Sequence, residues 1–437
     1  MELTPLNTVA FHTLGCKVNQ YDTQAMLELF RASGYTVVPF HEAADVYVLN
    51  TCTVTGTGDK KSMQITRRLR REHPDSHIIL CGCLAQRKGE ALLETGARLI
   101  LGTQRRGEVV TLLEKAVRED IQLCAVDTLT TATPFENLTI TDQEEHTRAT
   151  LKIQEGCNNH CTYCIIPSVR GPIRSRPLAD IAAEAARLAQ AGFRELVLTG
   201  IHLSSYGKDL ADGSTLLDAI QAVQDTEGIL RIRLGSLEPT IATAEFSARL
   251  AQMDKVCPQF HLALQSGSDT VLARMARRYN TRMYLDAVDN LRAAFPHAAF
   301  TTDVLTGFPG ETEEEYQQTR RFIETVGYAK IHVFPYSQRE GTKAAIMPNQ
   351  LPNALKDQRA RELIALGDTT AHAYQESWLG HTSPVLLEEQ NAEGNWLGYT
   401  PEYIQVTLPD CPACHSGAVV TARLAAIDGE GMKGELV

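Results

Sequence analysis

Short apolar runs recur through the first 125 residues, each followed by a stretch whose apolar positions repeat at helical spacing. Thr8–Leu14, Val46–Asn50, Ile78–Cys81 and Leu99–Leu101 predict strands, and Gln20–Ser33, Gly56–Glu72 and Gly107–Glu119 predict helices. This alternation predicts a parallel sheet with helices on its faces. Residues 126–147, rich in Thr and containing Pro134 and Asn137, lose the period and read as a linker. Alternation resumes with strands expected at Ala149–Gln154, Glu195–Thr199, Leu230–Leu234, Phe260–Leu264, Ala299–Leu305 and Lys330–Pro335. Between the first two, Leu178–Ala191 places Ile181, Ala185, Leu188 and Ala189 on one helical stripe. Thr312 and Glu315 have the spacing of a capping box. Six βα units in order predict an open (β/α)6 barrel with its site at the carboxyl ends of the strands. A long helical pattern from Pro352 to Trp378 leaves it. Short strands then follow at Ser383–Glu388, Trp396–Thr400, Ile404–Leu408 and Ala418–Ile427, the pattern of a small OB-like β-barrel. The expected fold is α/β in three units: 1–125, 148–373 and, as the β-barrel, 374–437.

Composition adds the class of protein. The 437 residues are 43% hydrophobic and 22% charged, as in globular enzymes. No 18-residue apolar run predicts a membrane span, and Met1–Asn7 lacks the basic and apolar regions of a secretory signal. A cytoplasmic location is expected. The eleven cysteines then read as metal ligands and buried thiols rather than a disulfide frame. A formal charge of −11 speaks against a nucleic-acid partner until its distribution is followed. Residues 1–120 are net +1 and residues 374–437 net −7. Lys60, Lys61, Arg67, Arg68, Arg70 and Arg71 fall on one predicted helix, a basic stripe able to contact phosphates.

The cysteines carry the chemistry. Cys157, Cys161 and Cys164 follow a predicted strand with C-x3-C-x2-C spacing. Three soft thiolates so close select zinc, copper(I) or an iron–sulfur cluster. Zinc wants a fourth ligand, which His160 is badly placed to supply. Three thiolates on a four-iron cluster leave one iron open to a substrate. Cys16, Cys52 and Cys83 each follow a predicted strand of the first sheet, where ligands of open α/β sheets bind. They read either as a second cluster site or as small buried residues. Cys81 competes with Cys83 for that role, but Gly82 allows a sharp exit that favours Cys83. Cys124 and Cys257 read as packing residues. Cys411-Pro-Ala-Cys414-His415 matches a haem-attachment pattern, discounted because that chemistry belongs to exported proteins and no export signal is expected; a zinc or surface-thiol role is the alternative.

The C-x3-C-x2-C loop resembles the cluster loop of the radical S-adenosylmethionine (SAM) enzymes. With the spread cysteines and a terminal β module, the chain resembles the methylthiotransferases, over nearly its whole length. The motifs are His12-Thr-Leu-Gly-Cys16-Lys-Val-Asn-Gln20, Asn50-Thr-Cys52-Thr-Val, Gly82-Cys83-Leu-Ala-Gln86 and Cys157-Asn-Asn-His-Cys161-Thr-Tyr-Cys164-Ile-Ile-Pro167. Others are Ser175-Arg-Pro177, Leu198-Thr-Gly-Ile201, Gly235-Ser-Leu-Glu-Pro239, Leu264-Gln-Ser-Gly267 and Gly307-Phe-Pro-Gly-Glu-Thr312. The first motif and Lys60-Lys-Ser resemble the group called MtaB, which acts on N6-threonylcarbamoyladenosine beside the tRNA anticodon. Branches acting on isopentenyladenosine, or on an aspartate of a ribosomal protein, are the alternatives.

The resemblance implies two 4Fe-4S clusters and SAM as cofactors. One cluster, on Cys157, Cys161 and Cys164, would bind SAM and yield a 5′-deoxyadenosyl radical. That radical would take hydrogen from C2 of adenine. The other cluster, on Cys16, Cys52 and Cys83, would provide the sulfur, which a further SAM methylates. A tRNA anticodon stem-loop and a flavodoxin- or ferredoxin-like electron donor are the implied partners. Glu184, Gly200, Ser236, Glu238, Gln265 and Asp303 lie near strand ends or on a facing helix. They are candidate SAM contacts, or else caps and barrel packing. Arg274, Arg277, Arg278 and Arg282 are a second set of RNA candidates. The terminal module resembles a TRAM domain, an RNA-holding module. Its negative charge shifts the expectation towards base stacking on Trp396, Tyr399 or Tyr403. A non-enzymatic iron–sulfur electron carrier is the reading from another class, and it would need no SAM barrel.

Overall fold

The computed structural model describes residues 6–141 and 147–437. Strands β1 (Thr8–Thr13), β2 (Thr36–Val37), β3 (Val46–Thr51), β4 (His77–Gly82), β5 (Leu99–Leu101) and β6 (Leu123–Ala125) form one parallel sheet. Their order is β2-β1-β3-β4-β5-β6. Every residue of β3 is buried, because both faces of the sheet are covered. Val46 and Val48 enter one apolar cluster, Tyr47 and Leu49 the other. The strand order reverses between β1 and β3, which opens a crevice beyond their carboxyl ends. Strands β2 and β6, absent from the sequence reading, are edge strands of two and three residues, too short to show a period.

The second unit is built on β7 (Arg148–Glu155), β8 (Arg174–Ser175), β9 (Glu195–Gly200), β10 (Arg231–Leu234), β11 (Gln259–His261), β12 (Ala299–Thr306) and β13 (Lys330–Pro335). β7, β9 and β10 run parallel, as do β11, β12 and β13. Isolated bridges Ile232↔Val256 and Leu237↔Leu262 join the two groups into one curved wall. The six parallel strands follow chain order, as the alternation predicts. The short β8 pairs antiparallel with β7 at the open edge. Helix Asn353–Glu376 packs along β13 at the other edge.

The expected linker falls partly on residues 142–146, outside the described residues. Its described part has no helix or strand after β6, yet it is firmly held. Leu138 and Ile140 are buried in the barrel's apolar core. Tyr21 Oη–H donates to the Leu138 carbonyl (2.6 Å) and the Ile140 N–H donates to Glu184 Oε1 (2.8 Å). Backbone polar groups satisfied by side chains of both units make this segment a strap rather than a loose tether.

At the C-terminus β14 (Thr382–Gln390), β15 (Trp396–Tyr399), β16 (Gln405–Leu408), β17 (Val419–Asp428) and β18 (Gly431–Leu436) close a barrel in the order β14-β15-β16-β18-β17. β18 was not expected, since Gly-Met-Lys-Gly-Glu-Leu carries little apolar signal. Cys411 and Cys414 form a disulfide there, in place of the metal or haem readings. The β15–β16 turn sits on the amino-terminal ends of β7, β9 and β10. Arg231 donates to the Tyr399 carbonyl (2.7 Å) and Arg233 to the Pro401 carbonyl (2.9 Å). The rings of Tyr399 and Tyr403 stack on each other at 4.7 Å, with the Arg148 guanidinium 4.7 Å and 5.1 Å from their centres. Tyr399 and Tyr403 are thus engaged with each other and with the protein's own arginines, although Tyr403 remains exposed. Trp396 donates Nε1–H to Asp410 (2.8 Å) and packs on the barrel core.

The capping box is present: Thr312 Oγ1 accepts the Glu315 N–H (3.2 Å) and Glu315 accepts the Thr312 N–H (2.8 Å). Arg274 adds two hydrogen bonds of 2.8 Å to the same carboxylate. That guanidinium, together with Thr270 and the cap, holds Glu315 at about 2 against partial desolvation. A depressed carboxylate stabilises the fold above its unfolded value of 4.5 and loses that contribution as pH falls towards 2. In acid unfolding followed by circular dichroism, wild type should lose this increment between pH 4.5 and 2. Glu315→Gln should start lower, and the stability gap between it and wild type should close over that range.

Candidate functional site

The crevice between β1 and β3 gathers the spread cysteines. Cys16 begins helix Lys17–Ala32, Cys52 follows β3, and Cys83 opens helix Cys83–Lys88 after β4. Asn19 Nδ2 donates to the carbonyls of Leu14 (2.7 Å) and Thr51 (3.1 Å), tying the exits of β1 and β3 together. Gly15 adopts φ +112°, and a Cβ there would lie 3.2 Å from Cys52 Sγ. At Gly82 (φ +90°) a Cβ would meet Asn50 Oδ1 at 2.4 Å, so only glycine permits the turn that separates Cys81 from Cys83. Cys81 stays in the sheet core, where burial pushes its thiol up to about 12. Cys16 is exposed, Cys52 half-buried and Cys83 buried. The three lie within one another's electrostatic reach. Burial pushes the Cys83 thiol up to about 11, although the Arg170 guanidinium opposes it. Arg170 Nε–H donates to Cys83 Sγ at 3.2 Å.

The packed cysteines sit beyond the carboxyl end of β7. Cys157, Cys161 and Cys164 line a cavity of about 170 Å³ with Asn159, His202, Ser236, Glu238, Gln265, Arg277 and Asp303. Tyr163, Ile166, Ile201 and Leu237 supply its apolar walls. Burial pushes Cys164 up to about 12 and raises Cys157. Arg277 donates to Cys161 Sγ (3.1 Å) and pairs with Glu238 (3.1 Å). His202 Nε2 lies 3.1 Å from the same carboxylate. Burial alone would raise Glu238, but His202, Arg277 and Asn159 outweigh it and hold its carboxyl below the usual range. Ile165 and Val169 pack directly on Cys83, and Ile166 packs against that group. A thin apolar layer therefore lies between the two cysteine sets.

The expected SAM contacts divide. Ser236, Glu238, Gln265 and Asp303 line the cavity with the three cysteines. Gly200 stands just before the lining pair Ile201 and His202, with no room for a Cβ beside the Gln154 side chain at 2.8 Å. Glu184 is placed elsewhere. It is fully buried, ion-paired with Arg176 (3.1 Å) and Arg187, and accepts from Tyr21 and Ile140. A helix position facing a strand can look into the core as well as over the rim, and Glu184 looks into the core.

The RNA candidates also divide. Lys60, Lys61, Arg67, Arg68, Arg70 and Arg71 are exposed, while Ser62, Ile65, Thr66 and Leu69 bury the other face of their helix. Arg67, Arg70, Arg71 and Lys88 line one shallow hollow; Gln64, Arg67, Arg68 and Arg71 line a second. Arg277 is no surface phosphate contact, since it is committed to Glu238 and Cys161 inside the cavity. Arg274 is held by Glu315; Arg282 is exposed and pairs with Asp286 (3.0 Å), as Arg68 and Arg71 pair with Glu72, so that pair does not set it apart, and Arg278 is exposed without an ion pair among the described residues. Arg170, His202 and the role of Arg277 were missed by sequence reasoning. The one available signal was Arg170-Gly171, immediately behind the cluster motif.

The residues suit iron–sulfur clusters. Each set offers three thiols and nothing else as soft donors, and each has an arginine hydrogen-bonded to one sulfur, a contact that suits an anionic thiolate ligand. Burial disfavours the free thiolates of Cys52, Cys83, Cys157 and Cys164, which bound iron would compensate. Among the described residues no three His, Cys, Asp or Glu side chains close on a single metal-ion position. No helix among them is long and apolar enough to cross a membrane.

Residues 8–102 match the family described as Uncharacterized protein family UPF0004, and residues 151–323 match the Radical SAM superfamily. The chain is 42% identical over 404 residues to the threonylcarbamoyladenosine tRNA methylthiotransferase MtaB of Bacillus subtilis, covering 91% of this chain and 90% of that protein. It is 34% identical over 432 residues to the tRNA-2-methylthio-N(6)-dimethylallyladenosine synthase of Streptomyces coelicolor, covering 95% and 85%. Among solved structures, the radical SAM methyltransferase TsrM of Kitasatospora setae shares the fold. Its TM-score is 0.58 at 15% identity, over 78% of this chain and 74% of that one.

In metal-free protein, alkylation with iodoacetamide followed by peptide mass spectrometry should label exposed Cys16 first. Cys81, Cys83 and Cys257, all buried, should react last, at rates set by unfolding.

Proposed function

This chain belongs to the radical SAM methylthiotransferases that act on tRNA, and from that premise we propose that it methylthiolates C2 of N6-threonylcarbamoyladenosine at position 37, beside the anticodon. The observation that carries the reading is the juxtaposition of two three-thiol sets across one apolar layer, in a chain 42% identical to a relative of that activity. In this reading Cys157, Cys161 and Cys164 hold the cluster that binds SAM, and Cys16, Cys52 and Cys83 hold the second. When bound, these cofactors supply the one-electron cleavage of SAM and the sulfur and methyl group to be transferred.

The protein's own residues do the rest. Glu238, kept ionised by His202 and Arg277, offers a carboxylate to the amine and hydroxyl groups of SAM. Ser236, Gln265 and Asp303 add polar contacts on the same wall. Gln265 holds φ +66°, a costly backbone conformation for a side-chain-bearing residue, at a strand end where its N–H donates to the Asp303 carbonyl (2.9 Å). Ile166, Ile201 and Leu237 exclude water from the reacting region. The exposed basic face of helix Gly56–Glu72 takes the phosphates of the anticodon stem-loop. A flavodoxin- or ferredoxin-like protein delivers the electron, and the reaction takes place in the cytoplasm.

Mass spectrometry of tRNA nucleosides tests the reading. A strain lacking this protein should lose 2-methylthio-N6-threonylcarbamoyladenosine and retain its unthiolated parent, and Cys16→Ala should not restore it. Loss of the dimethylallyl product instead would transfer the activity to the other branch. For the basic helix, Arg67→Ala with Arg71→Ala should weaken tRNA binding at low salt. The slope of log affinity against log salt should flatten by about 1 per phosphate contact removed. Filter binding at several salt concentrations reads both, and an unchanged slope would place the RNA elsewhere.

A further inference from the structure

Arg170 is fully buried, and its guanidinium has a partner on every side. Nε–H donates to Cys83 Sγ (3.2 Å), one terminal nitrogen donates to Glu155 (2.9 Å and 3.1 Å) and Asp22 (3.3 Å), and the other donates to Asn19 Oδ1. Those partners come from three places. Glu155 ends β7 just before Cys157, Asn19 and Asp22 lie on the helix that follows Cys16, and Cys83 follows β4. Arg170 itself ends helix Ile166–Arg170, which begins two residues after Cys164. One side chain thus touches the surroundings of both cysteine sets, and its charge also reaches Cys16 and Cys52.

Two carboxylates hold the guanidinium in place, so it cannot swing away from the sulfur. A planar fork with donors on three edges is a geometry that lysine cannot reproduce. A cationic N–H on a ligating sulfur favours the more negatively charged, reduced state of a cluster, and so raises its potential.

We propose that Arg170 is a positioning residue joining the two sites: it fixes Cys83 against the loop of Cys157–Cys164 and raises the reduction potential of the Cys16–Cys52–Cys83 cluster selectively. This rests on the reading that those three cysteines hold a cluster. The apolar contact of Ile165 and Val169 with Cys83 sets the spacing, and Arg170 sets the charge.

The test uses the full-length chain, reconstituted anaerobically with iron and sulfide, with iron content and electron paramagnetic resonance redox titration as readouts. Cys157→Ala, Cys161→Ala and Cys164→Ala together isolate the second cluster. Arg170→Lys retains a positive charge for Glu155 and Asp22 but loses the Nε donor. It should bind as much iron as wild type, with the midpoint of this cluster moved negative. Arg170→Gln should move it further. The midpoint of the SAM-binding cluster, measured with Cys16, Cys52 and Cys83 changed to Ala, should stay in place. Full iron content with an unchanged midpoint in Arg170→Lys overturns the proposal, as does an equal shift in both clusters. If Arg170→Gln does not fold, the lysine variant decides. If the three-alanine chain with Arg170 intact binds no cluster, the two-cluster reading itself fails, and iron content tells that result apart.

Discussion

A buried network of charges holds the first and second units against each other. Asp22 is fully enclosed and pairs with Arg106 (2.9 Å), Arg170 (3.3 Å) and Lys152. Glu155 pairs with Arg170 (2.9 Å) and Lys152 (3.6 Å), and Glu136 pairs with Arg106 (2.8 Å). Burial would raise the Asp22 carboxyl, but three cations around it win and bring it to about 2. Removing one partner of such a network strands a buried charge, at a typical cost of about 3–5 kcal/mol. The members come from helix Lys17–Ala32, the short turn Arg106–Glu108 after β5, the strap, β7 and the segment after the cluster loop. The relative position of the two cysteine sets therefore depends on it. Apolar packing alone permits sliding; a buried network of paired charges favours one register, even though Arg106 Nε and Nη2 make no hydrogen bond within it.

The C-terminal barrel is fixed by a related device. Arg148, Arg231 and Arg233 rise from the amino-terminal ends of barrel strands and are met by carbonyls and stacked tyrosines of the β15–β16 turn. Glu195, fully buried, balances Arg233 at 2.8 Å. The candidate site lies at the opposite, carboxyl ends of the strands. The barrel thus closes one mouth of the wall while the chemistry faces the other, and two of its aromatic rings are spent on that closure.

Where a side chain was assigned to the wrong surroundings, the cause was neighbours remote in the chain. Arg277 and Glu184 were judged by chain position, as a basic surface group and a rim carboxylate. Each is buried, and its neighbours come from distant segments: Cys161 and Glu238 for the arginine, Arg176 and Tyr21 for the glutamate. Tyr399 and Tyr403 were judged by residue type in a module that resembles RNA-holding domains. Their partners, Arg148 and Arg233, belong to another unit of the chain.

Local pattern by itself determined the main alternation of strands and helices, the six parallel strands, the Thr312–Glu315 cap and the two cysteine sets at strand ends. Periodicity and turn chemistry are properties of neighbouring residues, and the side-chain alternation of a buried strand leaves little freedom. Tertiary structure alone decided that Ile165 and Val169 from the cluster loop pack on Cys83, with Ile166 against them, and that Arg170 reaches Cys83. Those outcomes depend on which charges must be neutralised once water is excluded, and that condition arises only when segments remote in the chain are packed together.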